Sequence, residues 1–348
     1  MRLTRAIIKK IRKIRLKRWT LKYGAENHLL KPTFSKRKAK KITRMGFNEN
    51  QWYIYDFDRK EKKCRKEYLT SFDRWNMRGI NGEYRIILDD KRLFELIFSK
   101  YTNVPKILYF LKNRKIYDSN QNEVGLDDLN NALMKQKLFF RMNAAGGGRG
   151  AHLIEYDSEK LLIDGSVSSF QDIYSFSDGT FSTFLTQLEY SSNIYPKSTN
   201  TIRMVTINDN GDFEIVACAH RFGTHTSGFV DNASSGGIFC NIDIDTGELD
   251  SAYSYFVNQK YDQHPDTGEQ IKGIKIPYWN KVKKDLLTIH KGVPYLKLVA
   301  WDVVVQEDGK IAIIEGNASS DVILLQTKKG LRFEKLGIFL EKQNCIFK

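Results

Sequence analysis

The chain is 348 residues long, 41% apolar and 28% charged, with 21 Phe and 17 Tyr. That is enough apolar and aromatic area for a sizeable core, and it excludes a disordered, collagen-like or disulfide-scaffold protein. The net charge of +15 sits at one end: residues 1–44 hold 17 Lys or Arg against Glu26 alone, while the other 304 residues carry 39 basic and 40 acidic side chains.

By length the chain is two domains or one large one. A nucleic-acid-binding domain normally carries its basic surface on the folded body, so no specific nucleic-acid partner is expected. No run of about 18 apolar residues is present, so no transmembrane helix is expected. Lys9, Lys10, Arg12, Lys13 and Arg15 interrupt any apolar signal region, so no secretory signal is expected. Cys64, Cys218, Cys240 and Cys345 match no zinc spacing and read as free thiols of a reducing, cytoplasmic compartment.

Residues 3–21 put Leu3, Ile7, Ile11 and Ile14 at helical spacing, with Ile8 and Trp19 nearby and Lys or Arg at most other positions. That is a basic amphipathic helix. Two readings stand: residues 1–22 attach to an anionic membrane surface, at the inner face of the plasma membrane, or the apolar stripe docks on the body. Tyr23-Gly24 and Lys31-Pro32 end the helix, and a second basic run covers Lys36 to Lys41.

From Gln51 the sequence becomes mixed and aromatic-rich, with Trp52, Tyr53, Tyr55 and Phe57. Residues 89–100 predict a helix capped by Asp89 or Asp90, with Leu93, Leu96 and Ile97 on its apolar face. Leu138 to Met142 and Ala151 to Tyr156 predict strands on either side of a glycine-rich loop, Asn143-Ala-Ala-Gly-Gly-Gly-Arg-Gly150. Strands are also predicted at 160–167, 183–190, 201–208, 213–222 and 237–244, and a helix over about 278–291. This order implies an α+β fold with antiparallel sheets.

A hairpin covers 297–316, with Asp308-Gly309 as a two-residue turn. Facing positions then sum to 617, which sets Asp302 opposite Glu315 with Cβ atoms about 5 Å apart. Asn317 falls on the same face, with Leu298, Ala300, Val304, Ile311 and Ile313 as neighbours. Facing carboxylates at the rim of a core need positive charge between them. Either a hard divalent cation supplies it, magnesium above all, or a nearby Lys or Arg does. In the glycine-rich loop, backbone N–H groups can approach phosphate oxygens closely. The loop is neither a Walker A motif nor a dinucleotide-binding turn, because a strand follows it.

Taken in order, these features resemble the ATP-grasp superfamily. Within it they are most similar to the sugar-transfer-associated ATP-grasp proteins of bacterial surface-polysaccharide loci. The likeness runs over about 80–325. It rests on Asp-Asp-Lys91, the loop at 138–150, Gln187-Leu-Glu-Tyr190, Asn200-Thr-Ile-Arg203-Met-Val-Thr, and His220-Arg221-Phe-Gly. Val230-Asp231-Asn232 with Gly236-Gly237, Trp301-Asp302, and Glu315-Gly-Asn317 complete the set.

The resemblance implies an ATP-grasp fold with two α+β lobes clamping nucleotide, preceded by the basic helix. It divides the chain into a basic arm (1–45), an α+β linker region (46–130), a small lobe with the glycine-rich loop (131–190) and a large lobe with the metal site (191–348). It implies ATP and two Mg²⁺ ions as cofactors. Lys91, Gly146, Gly147, Gly148, Arg149 and Gly150 would meet phosphates. Gln187, Leu188, Glu189 and Tyr190 would form the hinge that binds adenine and ribose. Asp302, Glu315 and Asn317 would hold the metal, and Arg203 and Arg221 would act in catalysis. His220, His225, Asp231 and Asn232 would face the substrate.

One departure stands out: the superfamily's second phosphate-binding lysine is Arg141 here, and Lys137 lies too early in the strand. The implied activity is a carboxylate–amine ligase forming an amide through an acyl phosphate. The carboxylate would belong to a uronic acid or amino acid on a surface glycan. The rival readings are a sugar kinase with the same geometry and a non-catalytic scaffold of polysaccharide assembly.

Overall fold

The computed structural model describes residues 2–23, 34–143, 150–256 and 259–346. Helix α1 (Arg2–Tyr23) comes first, then α2 (Lys36–Arg44), α3 (Glu49–Ile54), α4 (Ser71–Met77), α5 (Ile86–Asp89) and α6 (Lys91–Phe98). Short helices need their ends satisfied, and α3 and α4 open on reciprocal caps: Asn48 with Gln51, Thr70 with Asp73.

The first sheet follows. Its elements are β1 (Ile107–Lys112), β2 (Lys115–Asp118), β3 (Glu123–Val124), α7 (Leu126–Leu133), β4 (Leu138–Met142), β5 (Ala151–Asp157), β6 (Lys160–Ile163), β7 (Ser166–Val167), α8 (Phe170–Ile173) and β8 (Gly179–Thr183). The strands are antiparallel in the order β3-β2-β1-β8-β4-β5-β6-β7. Leu111, Leu138, Phe140, Ile154 and Phe181 form its core with Leu129 and Leu133 of α7. The sheet starts at Ile107, so part of the stretch 46–130 belongs to it.

The second sheet comprises α9 (Glu189–Ile194), β9 (Ile202–Asp209), β10 (Asp212–Phe222), β11 (Ile238–Ile242), β12 (Leu249–Ser254), β13 (Lys260–Tyr261), α10 (Trp279–Lys291), β14 (Leu298–Val305), β15 (Ile311–Asn317), α11 (Val322–Leu325) and α12 (Lys335–Lys342). Its antiparallel order is β13-β12-β11-β10-β9-β14-β15. Both faces are covered, so its central strands are apolar throughout rather than alternating. Val205, Ala219 and Ala300 pack under Phe47, Trp52, Phe57 and α12, while Met204, Cys218 and Trp301 pack under α6 and α10. The fold is α+β with antiparallel sheets, as expected from the element order.

Two local expectations change, and the docking reading of the first helix is met at one residue. The strand predicted over 183–190 ends at Thr183, and Glu189 opens a helix instead. An acidic residue in a first turn favours a helix start, and Ser191 and Ser192 offer no β-branched surface to pair. In α6 the buried residues are Phe94 and Phe98, whose rings meet at a tilt, with Phe98 edge-on to Trp301, while Leu96 is 63% exposed. The helix is therefore rotated from the leucine face toward its two aromatic rings. Finally, α1 is joined to the body: Trp19 is buried against Phe72 of α4, with ring centroids 5.9 Å apart.

Candidate active site

The β14–β15 hairpin sets the geometry. Asp302 pairs with Glu315, Trp301 with Gly316 and Ala300 with Asn317, all summing to 617. Nearer the turn the register differs: Val303 pairs with Ile313 and Val305 with Ile311. The connection is a three-residue helical turn over Glu307–Gly309, one residue longer than the expected turn and closed by Gln306 N donating to Lys310 O (2.8 Å). An irregularity after Asp302, with Ile314 as the extra residue, restores the expected pairing. The two-residue turn is thus not the reason that the carboxylates face each other. The same bulge moves Ile311 and Ile313 to the opposite face, in the core with Val303 and Trp301.

Arginine side chains reach Asp302 from the adjacent strand β9 and from β10 beyond it. Arg203 on β9 is the cross-strand partner of Asp302, and its Nε and Nη2 donate to the two carboxylate oxygens at 2.5 and 3.2 Å. Arg221 at the end of β10 donates from Nη2 at 2.8 Å. Arg221 also pairs with Asp231 (3.3 Å), and Thr201 stands between them, accepting from Arg221 and donating to Asp231. All four charged groups are buried, so each charge depends on its partners. Burial pushes the Asp302 carboxyl up, but Arg203 and Arg221 outweigh it and hold it down at about 2. Burial raises Asp231 against the pull of Arg221.

Glu315 behaves in the opposite way. Burial, then the charge of Asp302, raises its pKa. Its Oε1 accepts from Asn317 Nδ2 at 3.2 Å. Across from it stand Lys91, at the first turn of α6, and Arg141, near the end of β4. Asp90 caps α6 by accepting from Arg92 N and Leu93 N, which leaves Lys91 to donate to Met142 O (2.8 Å). Burial, then the nearby Arg141, lowers the Lys91 ammonium to about 8. Arg141 is likewise lowered by burial, and its Nε is buried without a hydrogen-bond partner among the described residues.

These groups line one cavity of about 810 Å³ between the two sheets. Arg141 and Ser182 come from the first sheet, Lys91 from the start of α6, and Arg203, Arg221, Asp231, Asn232, Asp302, Glu315 and Asn317 from the second sheet and its loops. Positive charge between the carboxylates is already supplied on the Asp302 side by guanidinium groups, the second of the two sources open from the sequence. Glu315 and the oxygen of Asn317 are left as hard oxygen donors. That pair suits a divalent cation, since a cation would relieve the raised Glu315. Among the described residues no three His, Cys, Asp or Glu side chains converge as a metal site, so further ligands would have to come from Asn317 and a bound substrate.

Several candidates lie elsewhere. Gln187 holds the inter-lobe connection, bonding Ser198 O and Asn200 N, and none of Gln187, Leu188, Glu189 and Tyr190 lines the cavity. Glu189 is exposed at the start of α9. His220 points to the face opposite Arg221, because neighbours on a strand alternate. It is buried there, stacked on Phe222 and 3.0 Å from Tyr190 Oη, and burial lowers it to about 3. The packing role is therefore the one His220 fills. His225 is exposed, its backbone N bonded to Asp266 outside the cavity. Lys137 forms an ion pair with Glu155. Gly150 closes the glycine-rich loop at φ 63°, while Gly146, Gly147, Gly148 and Arg149 lie outside the described residues.

The cavity also contains residues with no signal in the sequence. Ser182 to Leu185 form the connection facing it, and Arg74 enters from α4, where Asp321 holds it at 3.2 Å. Thr201 could have been found only by asking what partners Arg221.

Two antiparallel lobes closing on a cavity of phosphate-compatible cations and carboxylates define an ATP-grasp protein. Over residues 74–336 the chain matches the model of the sugar-transfer associated ATP-grasp family, and it belongs to that family. No curated protein matches the sequence. Similar solved structures include N5-carboxyaminoimidazole synthetase from Staphylococcus aureus complexed with ADP (10% identity, TM-score 0.38, 68% of this chain and 47% of that one). Others are an L-amino acid ligase from Bacillus licheniformis (8%, 0.37, 67% and 41%) and the VanG D-Ala:D-Ser ligase from Enterococcus faecalis (11%, 0.38, 68% and 56%). The match thus covers about half the length of these structures.

Proposed function

We propose that the chain is an ATP- and magnesium-dependent carboxylate–amine ligase that forms an amide through an acyl phosphate, acting on a bacterial surface polysaccharide or its precursor. The observation that carries this reading is the Arg141 side chain: a buried guanidinium nitrogen without a partner among the described residues, beside the depressed Lys91, in a cavity that also holds Glu315 and the Arg203 and Arg221 ion pairs. Two desolvated cations side by side are unfavourable until a polyanion joins them.

In this reading Lys91, Arg141 and the amides of residues 146–150 bind the ATP phosphates. The backbone of Ser182–Leu185, not 187–190, faces the adenine. Glu315 and Asn317, with the phosphates, would hold Mg²⁺, while Asp302 is engaged by Arg203 and Arg221; two ions belong to the reading. When bound, the metal supplies charge neutralisation on the transferred phosphoryl group. A substrate carboxylate attacks the γ-phosphoryl group and releases ADP. Arg203 and Arg221, fixed by Asp302 and Asp231, stand beside the acyl phosphate, and an amine then displaces phosphate. Asn232 remains in the wall facing the acceptor.

The test is ADP release with uronic acids crossed with amino acids, with products identified by mass. An amide supports the ligase, a phosphorylated sugar would make the protein a kinase, and no turnover on any pair would favour the scaffold.

Lys91 makes the binding step pH-dependent. A group depressed to about 8 is charged below that pH and neutral above it. A bound polyphosphate favours the charged form and raises the pKa again. Nucleotide binding at roughly pH 8.5 should therefore take up protons, and affinity should fall from about pH 7 to 9. Calorimetry in buffers of different ionisation enthalpy reads this uptake, and Lys91→Met should remove it. Binding without proton uptake in the wild type would take Lys91 away from the phosphates.

A further inference from the structure

Helix α1 meets the body along one side. Trp19 is 5% exposed on Phe72, Leu16 is half-buried, and the charge of Arg12 is felt at Asp73. Residues 12, 16 and 19 share one helical face. Ile11 and Ile14 lie on the other side, 44% and 48% exposed, so these apolar positions are not spent on docking to the body. Exposed Lys10, Lys13, Lys17 and Arg18 surround them. Next to α1, α2 exposes Lys36, Arg37, Lys40, Lys41 and Arg44. Ser35 caps this helix by accepting from Lys38 N, so its cations sit on an ordered element.

Isoleucine pairs framed by cations match an interface that is anionic at its surface and apolar beneath. A bilayer containing anionic lipids has that layering, and nucleic acid offers no apolar layer to isoleucine. We propose that α1 and α2 together form a docking surface for an anionic membrane, with Ile11 and Ile14 entering the interface and the lysines and arginines at the headgroups. Trp19 is the fastening to the enzyme rather than the lipid anchor. It packs on α4, which two residues later sends Arg74 into the cavity. The bilayer and the cavity are thereby tied to opposite sides of one short helix.

The experiment is cosedimentation of the full chain with vesicles of equal parts phosphatidylglycerol and phosphatidylcholine, or of phosphatidylcholine alone, at low and high salt. Binding to the anionic vesicles, weakened by salt, is the expected result. The double variant I11D/I14D should partition about tenfold less or worse, with an unchanged Tm because both positions are exposed. Neutralising Lys36, Arg37 and Lys40 should flatten the salt dependence. Equal binding to neutral vesicles, or wild-type binding by I11D/I14D, would overturn the proposal. So would a dimer in solution that I11D/I14D dissolves, or a duplex nucleic acid that binds at lower concentration than the vesicles.

Discussion

Asp302→Ala should destabilise the protein by about 3–5 kcal/mol, the scale for removing one partner of a buried ion pair. Asp302 is 2% exposed and accepts from both Arg203 and Arg221. Without it the two arginines fare differently. Arg221 keeps Asp231 and Thr201, whereas among the described residues Arg203 keeps a 3.5 Å contact to Ser320 Oγ and the charge of Glu315. The loss therefore falls mainly on Arg203, and the double variant Asp302→Leu/Arg203→Met should recover a large part of it. Acid should mimic the single variant. The Asp302 pKa is depressed in the fold, so its contribution is complete above the unfolded carboxylate value of about 3.9 and is lost as pH falls toward 2. Urea unfolding of the wild type, both variants, and the wild type across that acid window measures these effects. A loss below about 1 kcal/mol for Asp302→Ala would mean that the arginines find solvent, and that Asp302 is a ligand group instead of an anchor.

What could be read from the chain was local or periodic. Apolar runs located β9, β10 and β14, and alternation placed Arg203 on the face away from Ile202 and Met204, where the structure has it. The same alternation, applied to His220 and Arg221, would have sent His220 into the core. The two-residue turn at Asp308-Gly309 gives the right Asp302–Glu315 pairing for the wrong reason, because a bulge at Ile314 offsets a connection one residue longer, and nothing in Ile-Ala-Ile-Ile marks which residue is extra. The guanidinium groups on Asp302 were out of reach for another reason: they come from 99 and 81 residues away along the chain, and strand order decides who arrives. Trp19 shows the same limit. Spacing identified an amphipathic helix, but which of its sides meets the body depends on where Phe72 lies.

Glu315→Gln should abolish ADP release, by roughly a thousandfold or more, while leaving the fold as stable as before or slightly more so. The two facing carboxylates are not equivalent. Asp302 is hydrogen-bonded by both Arg203 and Arg221, whereas Glu315 has the Asn317 amide as its described hydrogen-bond donor and feels Arg141, Arg203 and Lys91 by charge alone. Its pKa is raised, so its ionisation costs stability at neutral pH, and that cost disappears as pH falls through its folded pKa. Glutamine keeps the shape and removes the charge, which should give an apo Tm equal to or above wild type. In the wild type, magnesium with nucleotide should raise Tm, because ligands that bind only the native state stabilise it. In the variant that increment should shrink, since the charged oxygen donor is gone. Asn317→Ala should reduce the increment less, because a neutral ligand contributes less attraction for a dication. The two single-carboxylate variants thus diverge, with one losing the fold and the other losing the metal. A Glu315→Gln protein that turns over normally with magnesium, or melts well below wild type without it, would make Glu315 a second structural partner of the arginines and leave the catalytic reading without its metal site.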